Sequence, residues 1–102
     1  QIITEVEDHK PEFELSFKIN ANYPNPFNAF TRINFSLPEK TQVTAKVINM
    51  LGQVVDVIAD NQSFGRGEHN IIWDAGNFGS GVYLFQISSN KYNAIHKMVM
   101  IK

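Results

Sequence analysis

Residues Phe13 to Asn20 read FELSFKIN, an unbroken alternation with Phe13, Leu15, Phe17 and Ile19 on one side and Glu14, Ser16, Lys18 and Asn20 on the other. Successive side chains of a β-strand point to opposite faces, so this is the pattern of a strand with one buried and one solvated face. RINFSL repeats it with Ile33, Phe35 and Leu37 inward, and Pro38, which cannot donate to a ladder, ends the strand. QVTAKVINM sets Val43, Ala45 and Val47 inward before Leu51-Gly52 turns the chain.

The remaining segments continue the theme. QVVDVIAD is β-branched; with Asp56 on the solvent side, Val55, Val57 and Ala59 are the expected inward set, and Ile58 either points outward or marks a bulge. SFGRGE and AGNFGSG are glycine loops on either side of HNIIWD, in which Ile71 and Trp73 share a face. VYLFQIS and YNAIHKMVMIK form a final hairpin turning near Asn90, its last strand running to Lys102. Short strands separated by turn residues every ~8–12 positions, with no competing helix-period segment, pack as two antiparallel sheets. The expectation is an all-β, Ig-like antiparallel β-sandwich of about seven strands over residues 13–102. Residues 1–12, charged and with one apolar pair, read as a linker from an upstream catalytic or binding region.

A chain of 102 residues can bury a core without disulfides or metal. With 43% hydrophobic and 19% charged residues it has the composition of a folding chain. A net charge of -1 supplies no positive field for nucleic acid or an anionic membrane, and no apolar run reaches the ~20 residues of a spanning helix. Cysteine is absent, which excludes disulfides, thiolate ligands and a Cys nucleophile. Gln1, in place of an initiator Met, reads as the start of a processed piece of a longer precursor.

Residues able to carry chemistry are scattered. His9, His69 and His96 lack metal-ligand spacing, and His69, opening a strand, reads as a histidine hydrogen-bonded to backbone. Ser80, His69 and Asp74 are the ingredients of a nucleophilic triad, yet FGSGV is not the G-x-S-x-G elbow, and all three parse as strand-end or loop residues. Asp56 and Asp60 stand ~13 Å apart along a strand, beyond either glycosidase geometry. Asp74 and Asn77 offer calcium oxygens with a single carboxylate and without EF-hand spacing. Asn34 and Asn61 open N-x-S acceptor patterns, which are of low specificity. No catalytic, cofactor-binding or metal residue is assigned, and no cofactor is expected. Phe30, Phe64 and Phe78, in loops or at strand ends, are the aromatics expected to be exposed, whereas Trp73 and Phe35 belong in the core.

The segment NYPNPFN, Asn22 to Asn28, is neither helix nor central strand, because proline fixes φ and removes a donor. It reads as a structural clasp, made of Tyr23, Pro24, Asn25, Pro26, Phe27 and Asn28, where the chain crosses or kinks between sheets. Tyr23 and Phe27 are expected to pin it to the core, while asparagine side chains satisfy backbone groups.

In order, NYPNPFN, TRINFSLPE, VTAKVINMLGQVV, GEHNIIWDA, SGVYLFQI and a basic-flanked HKMVMIK resemble the C-terminal sorting domain of type IX secretion, type A, over Asn22 to Lys102. The chain is also similar to the Ig-like domain of the flagellar hook-capping protein. Ala29 stands where proline is usual, Ile48 replaces a common tyrosine, and Phe85-Gln86 replaces a common Tyr-Arg; these swaps are compatible with a core or a surface.

The resemblance implies a non-catalytic address label on a secreted bacterial protein, exported through the periplasm and outer membrane of a Gram-negative bacterium and attached to the cell surface. Its implied partners are the type IX secretion machinery and a cargo domain upstream in the same precursor; no nucleic acid and no membrane insertion are expected, and a monomer is. Recognition is assigned to the last hairpin, Gly81 to Lys102, with the Gly79-Ser80-Gly81 turn. The terminal strand would offer an edge for β-augmentation, Lys97 and Lys102 blunting unwanted pairing. Two other functions compete: a carbohydrate-binding or adhesive module reading ligand through Phe64 and Phe78, and a structural Ig-like spacer of a secreted enzyme.

Overall fold

The computed structural model describes residues 16–102. The expected linker over residues 1–12, and Phe13, Glu14 and Leu15 of the first expected strand, lie outside the described residues. The described chain is all-β: β1 (Lys18–Tyr23), β2 (Phe30–Leu37), β3 (Thr41–Asn49), β4 (Val54–Phe64), β5 (Gly67–Asp74), β6 (Gly81–Ser88) and β7 (Asn93–Met100). Three strands form one sheet in the order β1-β2-β5, and four form the other in the order β4-β3-β6-β7, every ladder antiparallel. This is the expected Ig-like sandwich arrangement, with one core between the sheets.

The alternation explains that core. Ile33, Phe35 and Leu37 of β2 and Val43, Ala45 and Val47 of β3 are buried, as their period demands. Trp73, Tyr83, Phe85, Ile87 and Met98 fill the space between them. Each fully buried large side chain contributes on the order of 1.5–3 kcal/mol. The aromatics meet edge-on, Trp73 against Tyr83 at 5.3 Å and 67°, a geometry favoured by ring quadrupoles.

Four expectations are corrected. In β4 Asp56 faces the core: it lies opposite the buried Val47, and its Oδ2 accepts the indole N–H of Trp73 at 2.9 Å. Val57 lies opposite the outward Lys46 and is 49% exposed, while Ile58 and Ala59 return to the core. Register shifts along the β3–β4 ladder invert the phase, and the buried indole donor needs an acceptor, which Asp56 supplies.

In β1 a bulge between Ile19 and Ala21 likewise flips the alternation, so that Asn22 is buried and Tyr23 is 77% exposed. Tyr23 therefore does not pin the clasp to the core. Nor does the clasp carry the chain between sheets, because β1 and β2 pair within one sheet. Finally, β7 ends at Met100, and Ile101 and Lys102 are held by contacts outside the ladder.

Candidate recognition end of the sandwich

Four chain features that lie far apart in sequence meet at one end of the sandwich: the proline corner, the β3–β4 turn, the β5–β6 loop and the carboxyl-terminal residues. Antiparallel register brings them there, since Phe30 lies opposite Asp74, Asn49 opposite Tyr83 and Gly81 opposite Met100.

The corner grips β7. Phe27 N–H donates to Val99 O at 2.9 Å, and Ile101 N–H donates to Phe27 O at 2.8 Å, forming a parallel bridge beside Met100. The Asn25 side-chain oxygen accepts from Val99 N–H at 3.1 Å. Phe27 is 2% exposed, its ring edge-on to Trp73 at 5.7 Å. The Tyr23-Pro24 and Asn25-Pro26 bonds are cis.

Behind the corner runs a buried polar chain. Thr31 Oγ1 donates to Pro24 O at 2.8 Å, Asn22 Nδ2 donates to Thr31 Oγ1 at 3.2 Å, and Asn22 Oδ1 meets His96 Nε2 at 2.9 Å. Asn22 and Thr31 are both buried, so these mutual bonds offset their lost hydration. One end of the chain sits on the corner and the other on β7. The grouping of His96 with Asn22 was not legible in sequence, because nothing in a period-two pattern reports a contact between strands of different sheets.

The carboxyl-terminal residues are tied to the β5–β6 loop. Lys102 N–H donates to Ser80 Oγ at 2.8 Å and Lys102 Nζ to Gly76 O at 2.7 Å. Tyr83 OH donates to Gly79 O at 2.7 Å, anchoring the loop from the core side. Gly81 has φ +152°, a conformation in which L side chains are rare. Thus Gly79, Ser80, Gly81 and Lys102 are brought together. Lys97 is not: it projects from the outer face of β7 opposite Leu84, five residues and ~16 Å of strand from Lys102. The outer edge of β7 near Val99 is already taken by Phe27, so β-augmentation there meets a filled edge.

The other candidates are dispersed. His69 Nε2 contacts Gly65 O at 2.7 Å, in keeping with a histidine bonded to backbone. Asp74 lies five residues further along β5, its carboxylate accepting from Gly76 N–H at 3.1 Å, and Ser80 holds Lys102, so no triad assembles. Phe64 packs edge-on against Phe35 at 5.4 Å, and Phe78 lies 5.6 Å from Trp73; both are half-buried and leave no coplanar platform. Phe30 is exposed as expected. The Asn34 amide is engaged by Asn70 and His69 O. A polar cleft of about 260 Å³ between Glu39, Asn61 and Lys91 lies at the opposite end, where Glu39 bonds Lys91 Nζ at 3.0 Å and raises its pKa.

Two antiparallel sheets around one core, with the last strand tied at one end to a clasp and a loop, make an Ig-like β-sandwich. The model of the secretion system C-terminal sorting domain matches residues 21–102, and the chain belongs to that family. Membership makes it a type IX sorting domain, a protein-transport module of secreted or cell-surface proteins. No curated protein matches the chain.

Proposed function

We propose that this domain is a non-catalytic label that routes a cargo of the same precursor through the type IX machinery, across the outer membrane of a Gram-negative bacterium, to the cell surface. It acts as a monomer, without cofactor or nucleic acid. The family match over residues 21–102 carries this reading. Recognition falls on the end built by Gly79, Ser80, Gly81 and Lys102, with Lys97 on the adjoining face. The clasp of Pro24, Asn25, Pro26 and Phe27 serves it by holding the last strand, while Tyr23 and Asn28 face solvent at its rim.

The ties of Lys102 to Ser80 and Gly76 support this assignment, because a preformed surface loses little entropy on binding. A reporter carrying Gln1 to Lys102 at its carboxyl end, expressed in a type IX-competent host, is expected to reach the surface or medium. A reporter that stays periplasmic would refute the proposal.

A further inference from the structure

The outer face of the four-stranded sheet is apolar toward the β3–β4 turn and polar at its far end, where Thr44, Ser88 and Asn93 form a row; a sheet facing water is ordinarily polar throughout. Register sets Val54 opposite Ile48, Ile48 opposite Leu84 and Leu84 opposite Lys97, one row from edge to edge. The next row runs Val57, Lys46, Gln86 and Ile95, with Val57 and Ile95 about half exposed at 49% and 55%. Towards the recognition end, Val82 lies opposite Val99.

Beside these rows stands the β3–β4 turn, with Met50 67% and Leu51 83% exposed. The turn is firmly built. Asn49 N–H donates to Gln53 O and Gly52 N–H to Asn49 O, at 2.9 and 3.0 Å. The Asn49 side-chain oxygen accepts from Leu51 N–H and Gln53 N–H at 2.9 and 3.0 Å, and its amide donates to Gln53 Oε1 at 2.8 Å. Turn tips favour small and polar residues. A turn closed this tightly that nevertheless displays Met and Leu is a preformed apolar knob, and methionine is enriched at interface cores.

Charge selects the occupant. The two rows hold Lys46 and Lys97 and no carboxylate, and neither lysine has an ion-pair partner among the described residues. Stacking the face on a second copy would set lysines against lysines, which disfavours self-association. Two lysines on a chain of net charge -1 fall short of the clusters of about 4–8 basic residues that hold proteins to anionic lipid. We infer that the Met50-Leu51 knob and the face beside it dock on a protein component of the export route, in an apolar groove rimmed by carboxylates. This rests on the sorting role proposed above.

The test uses the same reporter fusion, with Leu51→Asp on the knob, Lys46→Glu/Lys97→Glu on the face, and Ile72→Asp on the outer face of the other sheet as control. Thermal melts of the purified chains are expected to show all of them folded, since these side chains lie on outer faces. Export is expected to fall roughly tenfold or more for the knob and face variants and to stay at the parental level for Ile72→Asp. Parental export of folded Leu51→Asp would overturn the inference and leave the sorting role standing; failure of the unmodified fusion to export would remove both. Two further results would also overturn it: flotation of the chain with phosphatidylglycerol vesicles that Leu51→Asp abolishes, or a sedimenting dimer that Leu51→Asp dissociates.

Discussion

Asp56 and Trp73 show how one buried donor decides the path of a strand. The indole is 1% exposed, and its N–H reaches the Asp56 carboxylate at 2.9 Å, so β4 turns an acidic residue inward where simple alternation would send it out. Deleting the acceptor leaves the donor unsatisfied: Asp56→Ala is expected to cost about 1–3 kcal/mol, whereas Asp56→Asn, which keeps an acceptor oxygen, costs less. Urea titrations of the parent and both variants, followed by circular dichroism, check the order; equal losses for Ala and Asn would assign the effect to charge instead of the hydrogen bond. Asn22 makes the same point on β1, where its burial follows from Thr31 and His96 standing ready to bond it.

β7 carries the most consequence among the elements. It contributes Met98 and Met100 to the core, pairs with β6 along its length, and receives Phe27 on its outer edge. Removing Val99 to Lys102 strips the buried Met100 and the bonds to Phe27, Asn25 and Ser80 together. The loss of Met100 alone is of the size of a large-to-small core change, about 2–5 kcal/mol. The truncated chain is thus expected to melt well below the parent, while the Lys102→Ala chain stays within about 0.5 kcal/mol. An unchanged melting temperature after truncation would mean that the clasp does not depend on the last strand.

At the scale of the molecule, Phe27 joins the sheets: its backbone pairs with β7 of one, and its ring rests on Trp73 of the other. Because the sheets share one core, Phe27→Ala is expected to lower stability by about 3–5 kcal/mol in a single transition. Trp73 fluorescence and far-ultraviolet circular dichroism should report the same midpoint; separated midpoints would show that the sheets unfold independently. The end of the sandwich proposed for sorting inherits this cooperativity, so loosening the clasp loosens that surface.

The faces of β2 and β3, the core residues those strands carry and the position of the rigid corner were legible in RINFSL, QVTAKVINM and NYPNPFN, because period-two alternation and proline's fixed φ are properties of the local chain. The inward turn of Asp56, the burial of Asn22 in place of Tyr23, the union of the corner with β7 and the apolar outer face beside Met50 and Leu51 were not. Each depends on which strand lies opposite and in what register, and a one-residue bulge is enough to exchange the two faces of a strand without altering its pattern of residues.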